Sequence, residues 1–263
     1  MSKLAILAGQ GELPKTIARL HSDAVFVTFD GVTAETPGND VFQTSYERFG
    51  ELFDGLNARG ITEVVFAGGL ARPALNPANF DQKMMELAPK FMGAMQGGDD
   101  ELLRAVIDAF ESHGFRVRGA HELVPDLTAE PGLLVGASPS KTDLADIEKA
   151  RAILHAIGPL DVGQGAVVSS GQVLGIETVQ GTDEMLRFAA LAGKTGGVLV
   201  KAPKPGQDLR VDMPALGPDT IDAAKAANLN GIAFDAGQVL LINKETLFAK
   251  ADASGIFLLA QAT

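Results

Sequence analysis

The chain has no cysteine and no tryptophan, and its single tyrosine is Tyr46. The missing cysteine excludes a disulfide framework, a thiolate zinc site and a cysteine nucleophile. The scarcity of Trp and Tyr leaves no aromatic platform for stacking nucleic-acid bases. Basic residues are also in deficit. Twenty-two Lys and Arg against 33 acids give the 263 residues a net charge of −11. That balance argues against general nucleic-acid binding, which needs clustered positive charge to displace counterions, and against tight docking on anionic lipid. No apolar run approaches the roughly 18–20 residues of a membrane span, and the stretch before Gly9 is too short for a secretory signal. A cytoplasmic protein is the simplest expectation. Gly and Pro, at 30 and 13, stay below low-complexity levels. Apolar residues are plentiful: 46% of the chain, with 14 Phe, enough for real cores in one or two domains.

The first 70 residues alternate strand and helix patterns. Residues 3–8 and 24–29 are short apolar runs, as in buried parallel strands, and 64–67 is a third. Helical spacing falls between them, at Leu13, Ile17 and Leu20, and at Phe49, Leu52, Phe53 and Leu56. Strands with intervening helices predict a parallel sheet with crossovers, a Rossmann-like α/β domain. Further helices are predicted over 99–113 and 143–157, and a strand over 115–118. Residues 125–142 are rich in Pro, Gly, Ser and Thr and read as linker. The predicted division is an N-terminal α/β domain over 1–130, a linker over 131–142 and a C-terminal mixed α+β domain over 143–263. In the last, hairpins are predicted at 166–177, turning near Ser170-Gly171, and at 231–242, turning at Ala236-Gly237.

Several segments have the residue types for phosphate chemistry. Gly9-Gln10-Gly11 lies between a strand and a helix, where backbone N–H groups can meet a phosphate, and Asp30 follows at the spacing of a ribose-binding acid. Pro14 breaks the full dinucleotide fingerprint, so a plain tight turn explains the glycines as well. Arg72, beyond the third strand, has a guanidinium suited to phosphate. Asp99 reads as a helix cap or as a carboxylate beside a phosphate-bound Mg²⁺. His121-Glu122 is an isolated pair for acid–base work, or a structural His. Gln164 sits among close glycines in Asp161–Ala166. Thr182 and Asp183 read as a helix cap or as an anion site at a helix start. His21, His113 and His155 read as ordinary surface residues. The most informative segment is Lys201–Pro214, KAPKPGQDLRVDMP. Prolines stiffen it, and Lys201, Lys204, Gln207, Asp208, Arg210 and Asp212 crowd it. If extended, it sets Asp208, Arg210 and Asp212 on one face. Carboxylates suit Mg²⁺, and Lys and Arg suit diphosphate oxygens.

The ordered set LAGQGELP, FAGGLARP, GGDDELLR, GAHE, DVGQGAVV, GTDEML and KAPKPGQDLRVDMPALGPDT resembles the metal-dependent, non-calcineurin-like UDP-2,3-diacylglucosamine pyrophosphatases of lipid A biosynthesis. The resemblance implies two α/β domains with substrate bound between them. It implies hydrolysis to UMP and 2,3-diacylglucosamine 1-phosphate, with Mg²⁺ as cofactor and water attacking the sugar-side phosphorus. An essential family Asp maps onto Asp212, with Asp208 as its helper and second metal ligand. Lys201, Lys204 and Arg210 would hold the diphosphate. Gly9, Gln10, Gly11, Arg72, Asp99, His121, Gln164, Thr182, Asp183 and Gln207 would contact substrate. Met84, Met85, Phe91, Met92 and Met95 either line an acyl site or belong to an ordinary helix. The expected partner is the lipid-linked nucleotide sugar, with transient peripheral contact with the inner membrane, no nucleic acid and room for a homodimer. A nucleotide-sugar oxidoreductase and a non-catalytic UDP-sugar-sensing module stand as alternatives.

Overall fold

A segment that is apolar at every position must be covered on both faces. Leu4–Ala8 is such a segment: it forms β1, buried at all five residues. In the computed structural model, which describes residues 3–36, 40–70 and 74–262, β1 is the middle strand of a five-stranded sheet. The other strands of that sheet are β2 (Val25–Phe29), β3 (Val41–Thr44), β4 (Glu63–Ala67) and β5 (Arg116–Arg118). The order is β3-β2-β1-β4-β5, and every pairing is parallel. Helix α1 (Leu13–Leu20) lies between β1 and β2, α2 (Phe49–Ala58) between β3 and β4, and α3 (Gln82–Gly97) and α4 (Asp99–Ser112) between β4 and β5, while α5 (Ala120–Leu123) follows β5. The Rossmann-like expectation holds. The unpredicted strand β3 is only partly buried, so it lacks the continuous apolar run that marks its neighbours.

Phenylalanines fill the core of this unit. Phe49, Phe53, Phe110 and Phe115 pack edge-to-face or stacked at centroid distances of 5.3–6.2 Å. The methionine-rich segment is α3, and it divides by face. Met84 and Phe91 enter the core, while Met85 and Met92, seven residues apart, are exposed.

The chain divides into two compact units: Met1–Pro125 with Arg210–Asp212, and Asp126–Leu209 with Met213–Thr263. The second unit contains β6 (Gly132–Val135), α6 (Lys141–Ile157), β7 (Gly165–Ser169), β8 (Gln172–Ile176), α7 (Gly181–Ala190) and β9 (Val198–Lys201). Then follow β10 (Ala215–Leu216), α8 (Pro218–Ala226), β11 (Gly231–Asp235), β12 (Leu240–Leu241), α9 (Lys244–Ser254) and β13 (Phe257–Gln261). Six strands form one sheet, in the order β6-β13-β11-β9-β7-β8. The central β13, β11 and β9 run parallel, and the outer strands are antiparallel to their neighbours. Alternate residues feed two cores. Val167, Leu199, Ile232, Phe234 and Leu258 face one set of helices, and Ala166, Val168, Val198, Val200 and Ala233 face α6. No helix among the described residues is long and apolar enough to cross a membrane.

Two expectations are corrected. Residues 131–142 are not a free linker: Gly132–Val135 is an edge strand on β13, and α6 already begins at Lys141. The Pro and Gly residues there bound a short strand instead of a spacer. Residues 231–242 are not a hairpin either. β11 is buried at all five positions and needs a neighbour on each edge, which β9 and β13 supply, while β12 pairs with β10. The other hairpin, β7–β8, forms as expected. Its turn amides, Ser170 N and Gly171 N, both donate at 2.7 Å to the buried carboxylate of Asp146.

Helix α6 starts with a capping box. Asp143 N donates to Ser140 Oγ at 3.2 Å, and Ser140 N donates back to Asp143 Oδ2 at 2.9 Å. Asn230 donates to Asp143 Oδ1 at 2.8 Å. Burial works against the Asp143 charge, but the bonds from Asn230 and Ser140 outweigh it and hold the carboxyl below its ordinary value. A carboxyl lowered in the fold contributes stability above its unfolded value, about pH 4, and loses it as pH falls through the folded value. We expect Asp143→Asn to cost about 1–2 kcal/mol at pH 7. In urea unfolding the gap from wild type should narrow below pH 4; a gap independent of pH would refute the assignment.

Candidate active site

In the first unit the strand order reverses between β1 and β4, and in open α/β sheets ligands bind beyond the carboxyl ends of strands at such a reversal. The glycine loops after β1 and β4 meet there. Gly9 N donates to Ala67 O at 2.7 Å, Gln10 N to Gly69 O at 2.9 Å, and Gly69 N to Gln10 O at 2.9 Å. A Cβ on Gly9 would lie 2.5 Å from Gly69 O, and one on Gly68 would lie 2.4 Å from Gln10 O. These glycines therefore let two backbones touch, and the Gly9 and Gln10 amides are spent between the loops. Gln10 and Gly11 remain exposed. Arg72 lies outside the described residues.

Asp30 accepts from Gln43 Nε2 at 2.7 Å. Asp99 is the first residue of α4, exposed, and Gly98 takes the cap position expected for it. The His121-Glu122 pair is divided. Glu122 accepts from Arg118 Nε at 2.6 Å, and Arg118 also reaches Glu63 at 3.0 Å. Burial pushes the Glu122 carboxyl up, but Arg118 outweighs it, so the group sits below its ordinary value and is poorly suited as an acid at neutral pH. His121 Nδ1 is buried without a hydrogen-bond partner. A Cβ on Gly119 would meet His121 Cε1 at 2.5 Å and Arg210 Cα at 3.4 Å, so the GAHE segment and Arg210 are in close contact. Arg210 Nη1 donates to Glu111 Oε1 at 2.7 Å, and Val211 packs on the phenylalanine core.

The second unit gathers most of the charged segment. Lys201 ends β9 and is only 4% exposed. Its Nζ donates to Thr182 Oγ1 at 2.7 Å and lies 3.5 Å from Glu177 Oε2. Lys204 Nζ pairs with Asp161, and Lys204 N donates to Gln207 Oε1 at 2.9 Å. Ala202 N donates to Gln164 O at 3.0 Å. The structure thus brings together Lys201 with Thr182, Lys204 with Gln207, and Gln164 with this strand end. Asp183 lies in the first turn of α7, but the N-cap position falls at Gln180, which makes no side-chain capping bond, and not at Thr182 or Asp183. The extended strip expected over 209–212 is also corrected: Leu209–Val211 is a turn, so the shared face of Asp208, Arg210 and Asp212 is withdrawn. Within that turn, Val211 packs against the apolar core of the first unit. Residues 201–214 are largely buried or half-buried.

Two family models cover nearly all of the chain: LpxI N-terminal domain over residues 3–127, and LpxI C-terminal domain over 130–259. A relative from Caulobacter vibrioides, UDP-2,3-diacylglucosamine pyrophosphatase LpxI, is 40% identical over 276 aligned positions, spanning 98% of this chain and 97% of its own. The chain belongs to the LpxI family. A solved structure of CobK precorrin-6A reductase aligns over 100% of the chain and 88% of its own, at 13% identity and a TM-score of 0.34. That score is too low to bear on the LpxI fold or its chemistry.

One residue of this LpxI site escaped the sequence reading: Glu177, which follows the β7–β8 hairpin and meets Lys201 only in three dimensions. The signal available was the pair of close glycines, Gly163 and Gly165, that pack against it. Among the described residues no group of three or more His, Asp or Glu is placed to hold a metal ion. Mg²⁺ commonly needs only one or two carboxylates, completing its shell with water and substrate phosphate. Asp208 and Asp212, half-buried oxygen donors, fit that mode and not a closed protein cage.

The loop contact in the first unit gives a direct test. Gly68 combines the 2.4 Å approach to Gln10 O with φ +89°, whereas a Cβ on Gly69 meets nothing within 4 Å. We expect Gly68→Ala to lose about 2–4 kcal/mol and Gly69→Ala less than about 1 kcal/mol in denaturant unfolding. Equal losses would show that the loops are not packed as described.

Proposed function

We propose that the chain hydrolyses the diphosphate of UDP-2,3-diacylglucosamine, releasing UMP and 2,3-diacylglucosamine 1-phosphate in lipid A biosynthesis, with Mg²⁺ as cofactor. Membership of the LpxI family makes it an enzyme, a UDP-2,3-diacylglucosamine diphosphatase. The observation that carries the substrate is the 40% identity to the Caulobacter vibrioides pyrophosphatase, spread over 98% of the chain.

Breaking a diphosphate requires charge neutralisation on the phosphoryl oxygens and an oriented water. A divalent ion, when bound, would supply neutralisation and a more acidic water. In our reading, Asp212, assisted by Asp208, holds that ion or takes a proton from the attacking water. The water oxygen bonds to the sugar-side phosphorus, the bridging P–O bond breaks, and UMP leaves with the bridging oxygen. Lys201, Lys204 and Arg210 hold the diphosphate. Their counter-acids in the structure are Glu177, Asp161 and Glu111. Gln10, Gly11, Arg72, Asp99 and His121 of the first unit, and Gln164, Thr182, Asp183 and Gln207 of the second, contact nucleotide or sugar. Gly9 serves the loop contact. In our reading the enzyme acts in the cytoplasm, and the acyl chains of its substrate favour transient contact with the inner membrane.

Asp212→Ala should melt like wild type and lower UMP release by about a thousandfold or more. EDTA should stop the wild-type reaction, and Mg²⁺ should restore it. Wild-type kcat in Asp212→Ala refutes the role of that residue. Hydrolysis in ¹⁸O water should label the sugar phosphate; label in UMP would move the attack to the other phosphorus.

A further inference from the structure

We propose that Glu177 is a positioning residue for the Lys201 ammonium, an assignment that rests on the pyrophosphatase reading of the segment from Lys201 to Pro214. A lysine ammonium carries three N–H bonds. Two go to Thr182 Oγ1 at 2.7 Å and Ala215 O at 3.4 Å. Glu177 Oε2 stands 3.5 Å from Nζ, close enough to attract the charge. It completes no hydrogen bond, and Oε2 is a buried acceptor without a partner. The third N–H is therefore not captured by Glu177.

The other carboxylate oxygen fixes the geometry. Thr182 Oγ1 donates to Glu177 Oε1 at 2.8 Å. A hydroxyl has one proton; since Glu177 takes it, the lone pairs of Thr182 are left to face Lys201. Glu177 thus acts on the ammonium twice, by its charge and by orienting the hydroxyl that holds it.

The backbone is built to keep Glu177 in place. Glu177 N donates to Gly165 O at 2.8 Å. A Cβ on Gly163 would lie 1.9 Å from Glu177 O, and one on Gly165 would lie 2.5 Å from Glu177 Oε2. Any larger residue at either position would push the glutamate away. A buried carboxylate with one oxygen unsatisfied is costly, and a well-packed apolar pair would serve stability as well. Its use is to hold a cation at the end of β9 without saturating it, leaving an N–H for a phosphoryl oxygen. Displacing such a charge by a fraction of an ångström is enough to slow a reaction.

Glu177→Gln preserves shape and can still accept from Thr182, but removes the charge. We expect melting within a few degrees of wild type, kcat for UMP release down about tenfold to a hundredfold, and KM within about threefold. In a Lys201→Met background the same change should add less than about a twofold loss, because the group it positions is gone. Glu177→Asp, which keeps the charge but draws it back, should fall between wild type and Glu177→Gln. If Glu177→Gln does not fold, the reduced kcat of Glu177→Asp at unchanged KM carries the test. A folded Glu177→Gln or Glu177→Asp with wild-type kcat overturns the proposal. So does an equal loss from Glu177→Gln with and without Lys201. Absence of UMP release from the wild-type chain would instead overturn the pyrophosphatase reading, and this assignment with it.

Discussion

A positive charge buried at the end of a central strand has to be met by acceptors from elsewhere in the chain, and in the second unit this requirement organises the site. Lys201 is the last residue of β9, where both faces of the sheet are already filled by apolar side chains. Its ammonium draws Thr182 from the start of α7, the carbonyl of Ala215 from β10 and Glu177 from the end of the β7–β8 hairpin. Three segments distant in sequence are tied to one nitrogen. The next lysine along, Lys204, repeats the arrangement with Asp161. Desolvation makes each tie costly to break on one side only, so the cluster resists piecemeal change.

The first unit meets a different constraint. Its strands are parallel, helices lie in three of the four connections between them, and the reversal in strand order leaves two loops side by side. Backbone hydrogen bonds tie them together, and the close approach this requires explains the glycine on each. The same residues that suggested a phosphate cradle serve loop-to-loop pairing, and the exposed remainder, Gln10 and Gly11, is what a ligand would meet. A glycine motif read from sequence does not say whether the backbone approaches a ligand or another stretch of backbone.

Much of the fold was legible because burial leaves a mark on composition. β1, β2 and β4 are mostly buried and read as continuous apolar runs. β3 and β6 are partly exposed and lack that mark, so the sequence pattern does not reveal the first and makes the second read as a linker. The second hairpin failed because alternation within a strand says nothing about which strand lies beside it. At the site, residues within one segment, such as Lys204 and Gln207, were found together by proximity in sequence. Glu177 was not, since its relation to Lys201 depends on sheet topology. The extended reading of 209–212 weighs charge and overlooks Val211, which lies in a turn and packs against the apolar core of the first unit.

That small turn has a consequence for dissecting the polypeptide. Arg210–Asp212 is counted with the first unit although the residues on either side of it are counted with the second. Neither half is thus a continuous stretch of chain. A fragment ending near Pro125 would lack the valine that helps close its aromatic interior, and one beginning near Asp126 would carry that valine with nothing to bury it. Expression of separated halves is the wrong way to assign roles to each; inserting cleavable sites while keeping both pieces present preserves what the fold has interleaved.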